Sequence, residues 1–476
     1  MKTICFSVIL ILFCFNLNAQ QGQDKTLNRL DSQNQFYGDI AHTIWSYAEM
    51  GYQEEKSSAL LQNTLKDEGF TVKVGVAGIP TAFIAEYGSG SPIIGILGEY
   101  DALPGLSQQA VPEKKSAEEK AGHGCGHHLF GTASTAAAIS VKNWLKEKNI
   151  AGTIRFYGCP AEEGGSGKVY MTREGLFNDA DIILTWHPSD KNSANPNIAL
   201  ANKSAKFRFY GVSAHASMAP EKGRSALDAV EAMNYMVNMM REHIPQETRI
   251  HYVITNGGKA PNVVPDFAEV YYYSRHPQRD AVIDIFDRVV KAAEGAAIGT
   301  GTTMDYEMIG GTHEMLPNLT LQNLMYDNLE KVGGYKYTSE EKEFADKISE
   351  SLDNNYLDVS YSEDILPYNI EMDSKGAGST DVGDVSFTVP TGEMVAATWV
   401  PGTAAHSWQA VAAGGTSIGA KGMMVAAKTL ALTAIELFSN EEIIKKAKAE
   451  FLEARGTDFN YIPLIGDRAP ALDYRN

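Results

Sequence analysis

The densest group of chemistry-bearing residues is a glycine-rich run that reads His123-Gly124-Cys125-Gly126-His127-His128. Its glycines let the backbone bend tightly, so that the thiol and the imidazoles can meet at one point. Thiolate and imidazole suit zinc, and imidazole with carboxylate also suits manganese, nickel or cobalt. A histidine in a glycine-rich loop is more often exposed or supporting than a ligand, so we do not expect three histidine ligands here. Cys125 with His127 is the stronger pair, because other candidate ligands follow along the chain.

The second candidate group is the carboxylate pair Glu162-Glu163, which precedes a glycine-rich loop at residues 164–167. One carboxylate can bind a metal while its neighbour takes a proton from the water that the metal activates. Adjacent glutamates are usually surface charge, but these follow a predicted buried strand. His187 and His406 are ambiguous when each is taken alone. Together with the carboxylate pair they predict a metal-dependent hydrolytic site.

Compact apolar runs predict three buried strands, each followed by polar residues. The strands cover residues 93–97, 153–157 and 182–186, and an alanine-rich helix covers residues 129–145, between the first two strands. Alternating strands and helices indicate an α/β sheet, and ligands of such sheets bind at the carboxyl ends of the strands. Asp101, Glu163 and His187 are therefore expected at one edge of this sheet.

The remaining elements of the first and last parts of the chain are read from helical and alternating spacing. Helices are predicted over residues 36–50, 57–65, 319–329 and 417–437, the last being the final apolar helix, and strands over residues 71–74 and 82–87. No assignment is made for residues 340–375. These elements belong with the three central strands in one catalytic domain, predicted over residues 20–202 and 318–476.

The pattern changes near Asn202, which indicates an inserted second domain over residues 203–317. An alternating strand leads to Ser213-Ala214-His215 and then to an amphipathic helix with apolar residues from Ala226 to Met240. Further strands are predicted over residues 205–210, 250–255, 269–274 and 303–309. About a hundred residues of helix and strand are a plausible domain of the α+β class.

Composition excludes some classes of partner. The 476 residues are 44% hydrophobic, enough for a catalytic domain and a second module. The formal net charge of −18 argues against nucleic acid or an anionic membrane surface as partner, since both require a basic surface. The charged stretch at residues 113–120 is interpreted as a solvated loop.

The first residues predict a secretory signal peptide over residues 1–19. Lys2 precedes an apolar run from Ile4 to Phe15, and small residues follow at the end of the leader. The run is shorter than the ~20 residues of a spanning helix, and no later stretch is expected to reach that length. We therefore expect an exported, periplasmic protein without a membrane span. Removal of the leader leaves Cys125 and Cys159, for which one disulfide remains an alternative to free thiols.

Several motifs in this order resemble the aminoacylase and glutamate-carboxypeptidase metallopeptidases (metallopeptidase family twenty). The resemblance covers nearly the whole chain after the leader and is strongest with the branch of aminobenzoyl-glutamate hydrolases and amino-acid-conjugate amidohydrolases. The motifs are Gly98-Glu99-Tyr100-Asp101-Ala102-Leu103-Pro104, His123-Gly124-Cys125-Gly126-His127, Pro160-Ala161-Glu162-Glu163-Gly164, Gly211-Val212-Ser213-Ala214-His215-Ala216 and Ala405-His406-Ser407-Trp408. The resemblance implies a mixed-sheet α/β catalytic domain with an inserted α+β lid and dimerisation domain.

The resemblance also implies a role for each matched position. Five residues would hold two divalent ions (zinc, manganese, cobalt or nickel): Cys125, His127, Glu163, His187 and His406. Glu162 would be the general base, which takes a proton from the attacking water and passes it to the leaving amine. Asp101 would orient a ligand rather than bind metal. His215 would reach a neighbouring active site and help to hold the oxyanion, and Asn262 would line that shared site, which implies a homodimer through the lid domain.

Two positions depart from the pattern of many relatives. Glu99 stands where many members have a first histidine ligand, and His128 stands where they often have Asp or Asn. The roles of Glu99, His123 and His128 therefore stay open. For His215, a structural position in a turn is an alternative to the catalytic role.

The function implied is hydrolysis of the amide bond of N-acyl amino acids, such as aminobenzoyl-glutamate, or of dipeptides with a free carboxylate. A dipeptidase for unusual β-linked dipeptides would use the same catalytic residues and differ in its pocket. Other classes remain as alternatives: a periplasmic solute-binding protein, an inactive metal-bearing scaffold, and a hydrolase with Cys125 as nucleophile. Sensitivity to a chelator rather than to an alkylating reagent separates the metal enzyme from the thiol enzyme.

Overall fold

The computed structural model describes residues 24–196, 199–353, 357–370 and 378–475. The predicted signal peptide lies outside the described residues. In the described residues the strands, in chain order, are β1 (Thr71–Val74), β2 (Phe83–Ser89), β3 (Ile93–Gly98), β4 (Leu103–Pro104), β5 (Ala121–Gly122), β6 (Gly152–Gly158), β7 (Ile182–Ser189), β8 (Ala201–Tyr210), β9 (Arg249–Asn256), β10 (Phe267–His276), β11 (Thr303–Thr312) and β12 (Thr391–Ala397).

Helices lie before, between and after these strands. They are α1 (Asn34–Tyr47), α2 (Glu55–Asp67), α3 (His127–Lys148), α4 (Glu162–Gly165), α5 (Gly167–Arg173), α6 (Ala226–Met240), α7 (Arg279–Thr300), α8 (Leu319–Val332), α9 (Ser339–Ser349), α10 (Val382–Ser386), α11 (Trp408–Gly414), α12 (Ser417–Ser439) and α13 (Glu441–Arg455). The predicted helices and strands are all present, with ends that differ by a few residues.

The main sheet is mixed, with strands in the order β1-β2-β6-β3-β7-β12. Strands β6, β3, β7 and β12 are parallel, and β1 and β2 run antiparallel at one edge. Every residue of β6 is buried, as expected for a parallel strand covered on both faces. Helix α3 packs on this sheet and against α12. The parallel strands therefore bring their carboxyl ends to one edge, as the sequence predicts.

A second, four-stranded sheet is entirely antiparallel, in the order β11-β8-β10-β9. Strand β10 alternates half-buried and buried residues, because helices α6 and α7 cover one face of the sheet. Phe207, Tyr272 and Phe286 lie in its separate apolar core. Strand β9 is an edge strand, and all but one of its residues are exposed.

Among the elements outside residues 340–375 that were not predicted are β12, α7 and α13. Strand β12 is short and contains a glycine, which weakens the strand signal. Helix α13 is strongly charged, but Ile444, Ala447 and Phe451 form its buried face at helical spacing. A charged helix therefore follows the final apolar helix and packs against the core through one narrow face.

Helix α12 corrects the expectation about long apolar segments. By length and composition it is apolar enough to cross a membrane, and 78% of its most apolar window is buried inside the protein. Lys421 and Lys428 interrupt the apolar residues, so a search for an unbroken run passes over it. Its burial between sheet and helices is that of a core helix.

Candidate metal centre

The candidate site lies where β3, β6 and β7 end and α3 begins. Glu99 and Asp101 follow β3, Glu162-Glu163 follow β6, and His187 lies near the end of β7. Gly126 precedes α3 with φ of 77°, and an added Cβ would lie 2.7 Å from Cβ of Pro188. Only glycine fits this close approach of α3 to β7.

The first group of potential ligands consists of Cys125, His127 and His187, whose ligand atoms all lie within 4.8 Å of one another. Sγ of Cys125 is 3.3 Å from Nε2 of His187. Nδ1 of His187 donates to the carbonyl of Pro188 at 2.7 Å. Because Nδ1 carries the proton, Nε2 is left with a lone pair directed toward Cys125.

His127 is oriented by a different partner. Its Nδ1 donates to Oδ1 of Asp101 at 2.8 Å, and Oδ2 of Asp101 accepts from the backbone N–H of Glu163 at 2.9 Å. Burial alone would raise the pKa of Asp101, but the charge of His127 and its hydrogen bond hold that pKa below the usual value. The predicted orienting residue thus contacts two of the predicted ligands.

A second group joins Cys125 to Glu163 and His406 within the same 4.8 Å limit. Nε2 of His406 is 3.2 Å from Oε1 of Glu163, and the His406 side chain is 53% exposed. Its backbone takes φ of 60° and donates to the carbonyl of Gly124 at 2.8 Å. The left-handed conformation turns the loop before α11 back onto the glycine-rich run.

The third group contains Glu99, His127 and Glu162. Oε2 of Glu99 is 3.1 Å from Nε2 of His127. Burial, together with the charges of Glu99 and Glu163, raises the pKa of Glu162 well above its usual range. A carboxyl group in this setting is suited to hold a proton during a reaction near neutral pH.

Unpartnered buried atoms test whether a metal fits these residues. Oε2 of Glu99 and Nε2 of His127 face each other at 3.1 Å, and Oε1 of Glu163 faces His406 at 3.2 Å, but these three buried atoms form no hydrogen bond within the described ranges. Burial also raises the pKa of the Cys125 thiol well above its usual range, so a thiolate there needs a cation beside it. Thiolate, imidazole and carboxylate atoms directed at one another fit divalent ions.

Beyond the predicted residues, a buried ammonium group supports the site. Nζ of Lys168, on α5, lies 2.6 Å from Oε1 of Glu99 and 2.6 Å from Oδ1 of Asp381. Burial lowers the pKa of Lys168, but the charges of Asp381 and Glu99 outweigh it and hold that pKa well above the usual value. Glu99 therefore contacts Lys168 with one oxygen and faces His127 with the other. Nothing in the sequence around Lys168 marks it as buried.

The two other histidines of the run have structural partners. Nε2 of His123 donates to the carbonyl of Ile44 at 3.1 Å, and Nε2 of His128 donates to the carbonyl of Gly414 at 3.0 Å. Burial lowers the pKa of His123 to about 4 and that of His128 well below its usual value. Both are neutral imidazoles that tie the run to α1 and α11.

His215 and Asn262 lie outside this cluster. Both are exposed in the loops beside the second sheet. Nδ1 of His215 accepts from the N–H of Ser217 at 3.3 Å, and the carbonyl of Asn262 accepts from Ala216 at 3.0 Å. Within one chain these residues do not line the cavity of the candidate site, so the role implied for them requires a second subunit.

A cavity of about 690 Å³ opens above the cluster. Its walls include Glu162, His187 and His406 from the site and Arg275 from β10 of the second sheet. Arg475 lines it as well. Sequence reasoning missed both arginines, because neither belongs to a motif. Cys125 reaches this cavity as a free thiol, and Cys159 is also free, so the alternative of a disulfide is not realised.

Comparisons with known proteins identify relatives of this chain. A family model described as a peptidase dimerisation domain matches residues 201–300. The chain is 42% identical over 469 residues to one of the subunits of the p-aminobenzoyl-glutamate hydrolase of Escherichia coli, covering 93% of this chain and 97% of that protein. It is 29% identical to the Xaa-Arg dipeptidase of Mus musculus, covering 90% and 91% of the two chains.

Solved structures share the fold. An aminobenzoyl-glutamate utilization protein from Klebsiella pneumoniae aligns with a TM-score of 0.60 at 18% identity, over 87% of this chain and 98% of that one. A dinuclear metal-binding peptidase of the M20 family from Bacillus subtilis aligns with a TM-score of 0.57 at 16% identity, over 86% and 99%.

Proposed function

Because the chain belongs to the M20 family of metallopeptidases and is a hydrolase of amide bonds, we propose that it cleaves N-acyl amino acids of the aminobenzoyl-glutamate type with two divalent ions. One observation carries the proposal. Cys125, Glu163, His187 and His406 line one cavity together with Glu162, and the buried His127 shares one group of potential ligands with Cys125 and His187 and another with Glu162.

The ligand set divides into groups that share residues. Cys125 belongs to the group with His127 and His187 and to the group with Glu163 and His406, so its thiolate is positioned to serve two ions. When bound, the ions supply Lewis acidity that polarises the scissile carbonyl and makes water more acidic. We propose zinc as the native metal, with manganese, cobalt or nickel as alternatives, because a thiolate ligand favours softer ions than carboxylate alone.

Glu162 is the proposed general base. Its carboxyl group lies in the group with Glu99 and His127 and lines the cavity where a substrate would bind. It takes a proton from the attacking water and returns it to the amine that leaves. Asp101 positions His127 and the backbone of Glu163 through its two oxygens, and Lys168 holds Glu99 beside His127.

The proposed assembly is a homodimer through the second sheet, in which His215 and Asn262 complete the partner's site. Exposed apolar side chains support this surface: Tyr235 and Met239 on α6, and Tyr252, Val253 and Ile254 on the edge strand β9. An open edge of this kind can pair with a second chain. Light scattering on the mature protein tests the dimer, and recovery of activity on mixing His215→Ala with Glu162→Gln tests sharing of sites.

Export to the periplasm is proposed from the apolar leader over residues 1–19. Fractionation of cells that make the full chain, with the mass of the mature N-terminus, tests it. Recovery of uncleaved protein in the cytoplasm contradicts it.

A dipeptidase activity is the second candidate function. The 29% identity to the Xaa-Arg dipeptidase over 91% of that protein favours it. The same catalytic residues would serve either substrate, so the cavity walls decide between them. Dipeptides, including β-linked ones, therefore belong in the same assay panel.

The test of function is hydrolysis of aminobenzoyl-glutamate, other N-acyl amino acids and dipeptides by the wild type and by Glu162→Gln. The substitution keeps the size of the side chain and removes the base. We expect release of aminobenzoate by the wild type and a loss in kcat of about 10²- to 10⁴-fold in the variant. Equal activity of the two proteins contradicts the role of Glu162. Cleavage of dipeptides alone favours the second candidate.

A further inference from the structure

The chain after α13 returns across the molecule to the catalytic cavity. This return segment (residues 456–475) contains neither helix nor strand in the described structure. It is nevertheless fixed along its length. The hydroxyl of Tyr461 donates to Oδ1 of Asp384 at 2.6 Å, and Nη2 of Arg468 donates to Oε1 of Glu307 at 2.9 Å. Ile465 is 1% exposed.

The return segment ends on the turn that carries the catalytic carboxylates. The Tyr474 hydroxyl donates to the carbonyl of Glu163 at 3.0 Å, and Nη2 of Arg475 donates to the same oxygen at 2.6 Å. The Tyr474 ring packs edge-on against Tyr52, with centroids 5.5 Å apart. The Tyr52 hydroxyl in turn donates to the carbonyl of Gly165 at 2.6 Å. The guanidinium of Arg475 is thus held at the wall of the cavity.

Arg475 has hydrogen-bonding capacity that the protein does not use. Its Nε is buried without a hydrogen-bond partner among the described residues. Elsewhere in the same chain, Arg155 contacts both oxygens of Asp179 at 2.6 and 3.0 Å. A guanidinium has five N–H donors in a planar fork that matches a carboxylate. Arg475 lines a cavity that also contains Glu162 and His187, and only one of its donors is used by the carbonyl of Glu163.

We propose that Arg475 binds a carboxylate of the amino acid released by the reaction, and so makes the return segment part of the substrate site. The inference rests on the proposed function, since it assigns the group that recognises an acidic substrate. Arg475 supplies a fixed positive charge that attracts an anionic substrate into this cavity, which Arg275 of β10 also lines. The ammonium of lysine lacks the planar fork, so Arg475→Lys restores charge without paired hydrogen bonds.

The experiment pairs variants with substrates that differ by one carboxylate. Wild type, Arg475→Gln and Arg475→Lys are assayed on aminobenzoyl-glutamate and on its two monoamides, in which either the α- or the γ-carboxylate is an amide. Asp473→Asn is the control, because Asp473 is an exposed residue of the same segment. Tyr474→Phe removes the other contact with the carbonyl of Glu163 and keeps the ring that packs against the guanidinium of Arg475.

For Arg475→Gln we expect KM for aminobenzoyl-glutamate to rise about 10- to 100-fold, as for loss of a charged hydrogen bond, with kcat nearly unchanged. One monoamide should respond less than threefold, because it lacks the carboxylate that Arg475 binds. Arg475→Lys should recover part of the loss, and Asp473→Asn and Tyr474→Phe should not alter the selectivity. Metal content per chain should match the wild type in all variants.

A uniform loss on all three substrates, or a fall in kcat with lost metal, would mean that Arg475 only positions Glu163, and would overturn the proposal. Binding of glutarate to the metal-loaded enzyme, measured by calorimetry, separates this inference from the proposed function. We expect the Kd for glutarate to rise at least tenfold in Arg475→Gln even if no substrate of the panel is cleaved. Equal affinity in the two proteins, or no binding to the wild type, refutes it.

Discussion

Replacing Lys168 by methionine removes a buried ammonium group and leaves two buried carboxylates facing each other. Nζ lies 2.6 Å from an oxygen of Glu99 and 2.6 Å from one of Asp381, and the three side chains are 0%, 1% and 1% exposed. Removing one partner of a buried ion pair typically costs about 3–5 kcal/mol, because the other charge stays desolvated. We therefore expect Lys168→Met to lower the free energy of unfolding by about 4 kcal/mol.

The matched control is Lys445→Met. Lys445 also contacts two carboxylates, Glu441 at 3.3 Å and Glu442 at 2.9 Å, but all three side chains are more than half exposed. Because water screens this cluster, we expect no measurable shift of its unfolding midpoint. Urea unfolding of the chelated proteins at pH 7 and equal concentration gives both values.

The triple variant Glu99→Gln/Lys168→Met/Asp381→Asn tests the cause of the loss. It removes the charges together, so it should recover more than half of the stability that Lys168→Met loses. An unfolding free energy of Lys168→Met within about 1 kcal/mol of the wild type would refute the electrostatic explanation, since that is the range of exposed pairs. A triple variant as unstable as Lys168→Met would assign the loss to packing instead.

Three further predictions concern the ligand run. Burial lowers the pKa of His123 to about 4, so between pH 6.5 and 4 this histidine gains a proton only in the unfolded chain. The free energy of unfolding should therefore fall by up to about 3 kcal/mol as the pH drops through that window. Urea unfolding at several pH values should show a smaller fall in His123→Gln. Cys125→Ser should weaken metal retention at least tenfold on dialysis. Cys159 is buried outside the cavity, so Cys159→Ser should keep its metal. Equal metal retention by the two variants contradicts a ligand role for Cys125. Gly126→Ala should lower the free energy of unfolding by about 1–2 kcal/mol or more, because φ is 77° and the new Cβ would lie 2.7 Å from Pro188. An unchanged midpoint of thermal unfolding contradicts that strain.

The main sheet and the convergence at its edge were predictable from sequence for a physical reason. Parallel strands buried on both faces are continuous apolar runs, and the residues after them meet at one edge whatever the loops do. Asp101, Glu163 and His187 were therefore expected together, and they lie together in the structure. The short strand β12 lacks that signal, and it was missed.

The supporting residues could not be predicted in the same way. Lys168 and Asp381 are far apart in sequence, and each would be expected on the surface when considered alone. Arg275 and Arg475 reach the cavity from the second sheet and from the return segment. Their positions depend on long-range packing, which local patterns do not encode. The contact of Glu99 with Lys168 is likewise supplied only by the fold.

The most direct measurement is a metal titration of the chelated mature protein, followed by hydrolysis of aminobenzoyl-glutamate and by metal analysis of the same samples. We expect no hydrolysis after chelation, recovery with zinc, manganese or cobalt, and full activity at two ions per chain, with Cys125→Ser failing to retain them. Hydrolysis that persists without metal, or that alkylation of Cys125 abolishes in the metal-free protein, would contradict the two-metal site.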